Sequence, residues 1–260
     1  MKKRFSLFVL LFAHLALAQD KSTSTAKEEA AKEVGSEDES SQEVSLASSG
    51  ATVSCGGLLD NTVAHDDKKS VCAGGASDSY IQSQDNTGVA CGGKYTGCAK
   101  SIDEKVACCG GAADSYLAAK EKAAAGGRYD GWAMSEDGKH AACGGLYDGT
   151  LDSQDGSSVC AGGAYENWVV SRDRKKVACG GKYNGTGRSD DGGDVCAGGL
   201  YESWIESDDK KKVACGGKYD GYKASTDGTD VCCGGAYDGW ARSGDGKKVC
   251  TGGKYDGSAQ

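Results

Sequence analysis

Residues Gly234–Cys250 read GGAYDGWARSGDGKKVC, and almost all of the chain after residue 54 consists of copies of this stretch. Each copy begins with a Gly-Gly pair, and successive pairs are 18 residues apart except for one spacing of 16, from Gly110 to Gly126. A fixed period of this length is typical of proteins in which each repeat is one supersecondary unit. We number the repeats 1 to 12 and count the first glycine of each pair as position 0. These glycines are Gly56, Gly74, Gly92, Gly110, Gly126, Gly144, Gly162, Gly180, Gly198, Gly216, Gly234 and Gly252.

Residue types alternate along each repeat. Position 3 is Tyr in nine of twelve repeats, position 9 is nearly always Ser, position 11 is Asp in ten of eleven and position 15 is usually Val. Positions 8 and 10 vary. A period of two indicates strands, so the odd positions are predicted to face inward and the even positions outward. We expect one strand over positions 3–9, a turn at Asp-Gly or Asp-Lys, and a second strand over positions 14–17. The 16-residue repeat should lose its two residues at this turn.

The pattern predicts an all-β fold, and the favoured form is a disulfide-stapled β-solenoid of 18-residue coils. Eleven full coils stacked at the spacing of strands would make a rod roughly 50 Å long. The alternative is an antiparallel hairpin repeat or a propeller. The string S-x-D-G-K-x-V-A resembles the hairpin turns of WD40 and TolB-like blades, and two repeats supply four strands. The end coils of a rod would present open strand edges, which makes self-association an expectation.

The chain divides into three regions by composition. Residues 1–18 are predicted to be a signal peptide, because Lys2-Lys3-Arg4 precede an apolar run that ends in Ala16-Leu17-Ala18. Residues 19–54 are rich in Ser and Glu and lack aromatic residues and Cys, which predicts an acidic disordered linker. Residues 55–260 form the Gly/Cys/Tyr-rich repeat domain. The signal and the many cysteines together predict a secreted, extracellular protein.

Thirteen of the fourteen cysteines occur in two registers, one residue apart, at the ends of the repeats, and Cys98 lies at position 6 of its repeat. A constant separation of 17 residues pairs twelve of them between neighbouring repeats and leaves Cys98 to pair with Cys109. Each bond of this loop length would stabilise the fold by about 3 kcal/mol in the chain-entropy model. Even spacing disfavours zinc, which uses closely spaced Cys and His ligands. The predicted pairs are Cys55–Cys72, Cys91–Cys108, Cys143–Cys160, Cys179–Cys196, Cys215–Cys232, Cys233–Cys250 and Cys98–Cys109.

Charge and histidine content argue against two broad classes of function. The formal net charge is −8, which disfavours a nucleic-acid or anionic-membrane partner. Beyond the signal, the chain has two histidines, His65 and His140, which we interpret as surface polar residues. The repeated Ser and Asp lie two residues apart at a turn, the spacing of local hydrogen bonds and not of a catalytic triad. We expect no enzyme activity and no cofactor.

Position 6 carries the most suggestive residues. Tryptophan recurs there every 36 residues, at Trp132, Trp168, Trp204 and Trp240, and Tyr222 takes the same position in one intervening repeat. In stacked coils these rings would form a row at intervals of roughly 9.5 Å. Such a row fits the sugar rings of a cell-wall or matrix polysaccharide, with acids at position 4 as hydrogen-bond acceptors. The alternative is a ladder of aromatic side chains that only covers a sheet. Asn184-Gly185-Thr186 is an N-glycosylation sequon at a turn.

Two resemblances imply other extracellular roles. Cys215–Tyr219, CGGKY, resembles the C-x-G-x-Y of an insect antifreeze repeat, which implies ice binding, although no T-x-T column exists here. The 18-residue period and the acidic positions 4 and 11 resemble the RTX calcium solenoids, which implies Ca²⁺-dependent adhesion. The Asp residues lie at other positions of the repeat than in the RTX proteins. Capping of the turn is therefore the alternative role for position 11.

Overall fold

The computed structural model describes residues 53–67 and 69–260, and this part of the chain is all-β. The predicted signal peptide and nearly all of the predicted linker lie outside the described residues. The described part contains no helix that could cross a membrane. Its strands are β1 (Ser54–Cys55), β2 (Thr62–Ala64), β3 (Val71–Ala73), β4 (Tyr80–Gln82), β5 (Val89–Cys91), β6 (Cys98–Lys100), β7 (Ala107–Cys109), β8 (Tyr116–Ala118), β9 (Ala123–Ala125), β10 (Trp132–Met134), β11 (Ala141–Cys143), β12 (Thr150–Asp152), β13 (Val159–Ala161), β14 (Trp168–Val170), β15 (Val177–Cys179), β16 (Thr186–Arg188), β17 (Val195–Ala197), β18 (Trp204–Glu206), β19 (Val213–Cys215), β20 (Tyr222–Ala224), β21 (Val231–Cys233), β22 (Trp240–Arg242), β23 (Val249–Thr251) and β24 (Ser258–Ala259).

Each repeat from 1 to 11 forms an antiparallel hairpin of two short strands. The first strand covers positions 6–8 and the second covers positions 15–17, as in the pairing of Trp168 with Cys179 and Val170 with Val177. The prediction of an all-β, disulfide-bonded repeat is therefore confirmed. Every ladder joins two antiparallel strands, whereas a solenoid would need parallel ladders between coils. The described strands thus form the hairpin repeat that was the alternative, and a solenoid is not shown.

The first strands are shorter than the seven residues expected from the alternation. Positions 0–3 form a turn instead, in which the Tyr147 amide donates to the Gly144 carbonyl at 3.2 Å. The amide of Leu146, at position 2, donates to the Tyr129 carbonyl of the preceding repeat, also at 3.2 Å. The start of each repeat is therefore bonded to its neighbour and not to its own second strand.

The array of hairpins closes on itself. Strand β1 precedes the first Gly-Gly pair, and it pairs antiparallel with β24, the last strand of the chain, to complete the twelfth hairpin. The Gly56 amide donates to the Gly257 carbonyl at 2.8 Å, which repeats the bond from Gly74 to Asn61 at 2.9 Å. Repeat 12 therefore contacts repeat 1 as any repeat contacts the next. The predicted open rod and its exposed end strands are wrong.

The difference in size between the two strands of each hairpin explains this curvature. Second strands carry small side chains, with sequences such as VCA, VAC, AAA and AAC, whereas first strands carry WVV, WIE, YIQ and WAM. Neighbouring second strands consequently contact each other more closely than neighbouring first strands do. In every pair of adjacent hairpins the second strands are closer together than the first strands. The array therefore bends toward its second strands at each step until its ends meet. In propellers, radial repetition of small sheets likewise leaves only short, protected edges.

Close approach between repeats, more than turn formation, explains the Gly-Gly pairs. A Cβ added at Gly234 would overlap the Tyr219 carbonyl oxygen of the preceding repeat. A Cβ at the second glycine, Gly235, would overlap the carbonyl of Gly217, the second glycine of that same preceding repeat. The backbones thus pack directly on one another at this corner, where any larger residue would separate them.

The turn between the strands is built from the Ser and Asp at positions 9 and 11. Ser153 is fully buried and donates to Asp155 Oδ1 at 2.7 Å, while the Ser158 amide donates back to Ser153 Oγ at 3.0 Å. In the 16-residue repeat, Ala119 replaces the serine and only residues 119–122 connect β8 to β9. Its deletion therefore lies in this turn, as expected.

Candidate functional site

Disulfide bonds set the spacing of the hairpins around the aromatic positions. All fourteen cysteines are paired, and the seven pairs are those that the 17-residue separation and the remaining Cys98–Cys109 pair predict. Cys143 and Cys160 join position 17 of one repeat to position 16 of the next, with their Cα atoms 5.6 Å apart. Trp168 lies opposite Cys179 across its hairpin, so the indole shares a face with a disulfide.

The aromatic side chains at position 6 are exposed. Relative exposure is 47% for Trp132, 38% for Trp168, 37% for Trp204, 46% for Trp240 and 53% for Tyr222. They lie on the first strands, which the splay of the hairpins holds apart, and so their rings remain open to solvent. Because the array closes, the straight row expected for a rod does not form, and the rings follow one another around the array.

Trp132 lines a groove between repeats 4, 5 and 6. The groove encloses about 610 Å³, and Tyr116, Tyr129 and Tyr147 contribute the other aromatic walls. Tyr116 and Tyr129 pack with ring centroids 5.4 Å apart and an angle of 39° between their planes. Asp130, the acid at position 4, lies at the same groove and is exposed. Four aromatic side chains, from positions 3 and 6 of the repeat, and one carboxylate thus meet where two successive gaps between hairpins adjoin.

The tyrosine at position 3 is the part of this arrangement that the sequence analysis missed. Tyr80 packs on Tyr95 at 5.6 Å and Tyr222 packs on Tyr237 at 6.0 Å, in each case position 6 of one repeat against position 3 of the next. The signal was present, since Tyr occupies position 3 in nine of twelve repeats, but its partner lies 13 or 15 residues away in the neighbouring repeat.

A lysine lies over one face of the Trp204 ring, although the side chain is about as exposed as that of Trp168. Lys223 Nζ lies 4.2 Å from the centroid of the Trp204 ring, in a cation–π contact between repeats 9 and 10. Lys223 stands at position 7, where the other repeats have Val, Ile, Leu, Ala or Gly. A single charged residue in an otherwise apolar column was the sequence signal for this contact.

An exposed band of acids accompanies the aromatic residues. Ten of the twelve position-4 residues are Asp or Glu, and all ten are exposed: Asp60, Asp78, Asp114, Asp130, Asp148, Glu166, Glu202, Asp220, Asp238 and Asp256. Asn184 of the sequon takes this position in repeat 8 and is also exposed. The Tyr183 hydroxyl donates to the carbonyl of Thr186 at 3.4 Å, which fixes the tyrosine ring beside the sequon.

The Ser-Asp pairs and histidines serve the turns. The amide of Ser157 and the hydroxyl of Ser153 donate to Asp155, and these bonds lower the pKa of Asp155 to about 2. His65 is buried at position 9, where its Nδ1 accepts from the Asp67 amide at 3.1 Å, so its interpretation as a surface residue is wrong. His140 is half-buried, and burial lowers its pKa. The described residues contain no group of three side chains suited to hold a metal ion.

Comparisons with known proteins find no match among protein-family models, curated proteins or solved structures. The chemistry of the groove therefore has to be inferred from its own geometry. That geometry combines exposed aromatic faces, a neighbouring carboxylate and an open cavity, repeated with variations between successive hairpins.

Proposed function

We propose that this protein is a secreted, non-catalytic protein that binds a cell-wall or matrix polysaccharide in the grooves between its hairpins. The observation that carries the proposal is the groove at Trp132, where Tyr116, Tyr129 and Tyr147 surround an open volume of about 610 Å³ beside Asp130. Pockets for small ligands commonly enclose about 300–1,000 Å³ and combine apolar walls with a few polar groups. The groove has both properties.

The residues of the groove suit a sugar. The apolar faces of a pyranose ring pack on exposed aromatic rings, which supply area at little cost in side-chain entropy. The Asp130 carboxylate accepts hydrogen bonds from sugar hydroxyls, and bonds to a charged acceptor are stronger than neutral ones. Because Asp130 is exposed and precedes Trp132 by two residues, both groups reach the same ligand.

The repetition of aromatic positions favours a polymeric ligand. Trp132 and Trp168 lie on alternate hairpins, Trp240 lies four hairpins after Trp168, and each is more than a third exposed. Several weak contacts with one polysaccharide chain raise the effective affinity well above that of a single groove. This avidity requires that the polymer span neighbouring grooves, and we infer that the ligand is extended and not a free monosaccharide.

Seven disulfides support an oxidising, extracellular location, in which such bonds form and persist. The absence of catalysis remains part of the proposal. It is supported by the serine at position 9, whose buried hydroxyl is committed to the turn, as the bond from Ser207 to Asp209 at 2.6 Å illustrates. A nucleophile needs an accessible hydroxyl with a base beside it.

Ice binding and Ca²⁺-dependent adhesion receive less support from the same residues. An ice-binding face is flat and uncharged, whereas the position-6 aromatic residues stand beside exposed acids such as Asp130 and Asp238. The position-11 carboxylates already accept bonds within their own turns, as Asp245 does from Ser243 at 2.6 Å and from the Lys247 amide at 3.1 Å.

The test is binding of the oxidised protein to insoluble chitin, cellulose and β-glucan, compared with the Trp132→Ala variant. We expect the substitution to weaken binding by about 2- to 10-fold, because one stacked aromatic residue is worth roughly 0.5–1.5 kcal/mol. Trp204→Ala is the matched control, since Lys223 already covers that ring. Equal binding by wild type and Trp132→Ala, or no binding to any of the three polymers, would contradict the proposal.

A further inference from the structure

In repeats 8 and 10, an aspartate carboxylate near the turn is held by hydrogen-bond donors from both neighbouring repeats. Asp194, at position 14, accepts from the Val177 amide of the preceding repeat at 3.1 Å and from Lys212 Nζ of the following repeat at 2.7 Å. Asp230 repeats this arrangement with the Val213 amide at 3.0 Å and Lys248 Nζ at 2.8 Å. Each of these two aspartate carboxylates therefore accepts from one backbone amide and one lysine.

The geometry of the hairpin explains why the backbone donor is available. Position 15 pairs with position 8, as Val177 pairs with Val170, while the neighbouring position 9 amide bonds to the position 14 carbonyl, as Ser171 does to Lys176 at 2.9 Å. Antiparallel ladders alternate between bonded and non-bonded pairs. The amide of position 15 thus points away from its partner strand and is free to bond to an acceptor in the next repeat, as the Val177 and Val213 amides do.

Repeat 3 keeps the two donors and lacks the carboxylate. Val106 stands at position 14, in the place of Asp194, between Val89 of the preceding repeat and Lys122 of the following one. Within the described part of the chain, the Val89 amide has no acceptor and Lys122 has no ion pair, whereas the equivalent groups in repeats 7 and 9 are bonded. Two donors arranged for a carboxylate are therefore left without one.

A cavity occupies this place. It is widely open to solvent and has a volume of about 360 Å³, and its walls include Val89, Val106, Lys122 and, from repeat 1, Lys69. Val71 and Val89 make part of the wall apolar, so the cavity accommodates the hydrocarbon body of a ligand as well as its charge. Its walls share no residue with the groove at Trp132.

We propose that this cavity binds the carboxylate group of a small organic acid, such as a uronic acid, in place of the missing aspartate. One carboxylate oxygen accepts from the Val89 amide and the other from Lys122 Nζ, as in the two aspartate sites. Lys69 adds a second positive charge, although it also interacts with Asp85, whose carboxylate accepts from Ser83 Oγ at 2.6 Å. The proposal is independent of the sugar-binding function proposed for the aromatic groove.

The experiment is a calorimetric or NMR titration of the full chain with glucuronate and benzoate, and with glucose and benzamide as neutral matches. We expect the acids to bind and the neutral compounds to bind at least 10-fold more weakly. Val106→Asp supplies a tethered carboxylate, as Asp194 does, and should abolish acid binding without lowering the melting temperature. Lys122→Gln should weaken it at least 10-fold, whereas Lys211→Gln, at an exposed turn position, should leave it unchanged.

A reciprocal variant tests the equivalence of the sites. Asp194→Val leaves the Val177 amide and Lys212 without their acceptor, as in repeat 3, and should add a second binding equivalent for benzoate. Wild-type protein that does not discriminate between glucuronate and glucose, or Lys122→Gln that binds benzoate with unchanged affinity, would overturn the proposal.

Discussion

Ser54 Oγ and Thr251 Oγ1 lie 2.8 Å apart although 197 residues separate them in the chain. Ser54 belongs to β1 and Thr251 to β23, so this contact joins the two ends of the repeat array. The two residues take the places that cysteines occupy in Cys143–Cys160, at position 17 of one repeat and position 16 of the next. At the seam, a pair of hydroxyls thus replaces a disulfide.

Cysteines at these two positions should form an eighth disulfide. In the Ser54→Cys/Thr251→Cys variant, we expect no free thiol, faster migration on non-reducing gels after urea denaturation, and a stabilisation of about 5 kcal/mol in the chain-entropy model. Peptide mapping by mass spectrometry identifies the bond, and Ser54→Cys alone is the control that retains one thiol. Two free thiols in the double variant would mean that the ends do not meet, as in an open rod.

The Gly-Gly corner should tolerate no side chain. Gly234→Ala places a Cβ against the Tyr219 carbonyl, so the backbones must separate, and we expect a loss of about 3 kcal/mol in the free energy of unfolding. Gly246→Asn is the matched control, since nothing lies within 4 Å of a Cβ there and Asn86 adopts a φ of 67° at the same repeat position. Chemical denaturation measures both. Similar stabilities for the two variants would refute the close approach of the repeats.

Stability should depend on pH through the aspartates of the turns. The Ser70 and Lys69 amides lower the pKa of Asp67 from 3.8 to about 2, and the Ser157 amide and Ser153 hydroxyl do the same for Asp155. Because the folded pKa is lower than the unfolded one, this stabilisation is present above about pH 4 and is lost as the pH falls toward 2. Melting temperatures should therefore be level above pH 4 and fall below it.

A variant separates this effect from general acid denaturation. In Ser153→Ala, Asp155 loses one donor, and NMR titration should find its pKa higher than in the wild type, while Asp245 in a distant repeat keeps its own value. An unchanged pKa for Asp155 in this variant would show that the hydroxyl bond is not formed.

Removing the lysine that covers Trp204 should open another groove. In Lys223→Ala, the cation–π contact at 4.2 Å is lost, and we expect tighter binding to the polysaccharide that the wild type binds. The gain should disappear in Lys223→Ala/Trp204→Ala, which removes the uncovered ring. Lys218→Ala removes a nearby exposed lysine and serves as the charge control. Unchanged binding in Lys223→Ala would argue that Trp204 does not contact the ligand even when uncovered.

Much of the local structure was predictable because it depends on neighbours at fixed separations. The pairing of Cys143 with Cys160 followed from a constant spacing of 17 residues, and the turn at Asp155 followed from Asp-Gly chemistry. The exposed aromatic residues at position 6 could likewise be read from their recurrence every 36 residues. The packing of Tyr222 on Tyr237 could not be predicted from the sequence, because it depends on the distance between the first strands of adjacent hairpins.

The period of the sequence determined the repeating unit, its turn and its disulfides, since each is decided within one repeat or between two. Only the tertiary structure decided that the array closes and pairs Ser54 with Ala259. An open rod and a closed array share the same period and the same contacts between neighbours. They differ in a small bend at each step, which arises from the unequal sizes of side chains on the two strands and accumulates over all twelve hairpins.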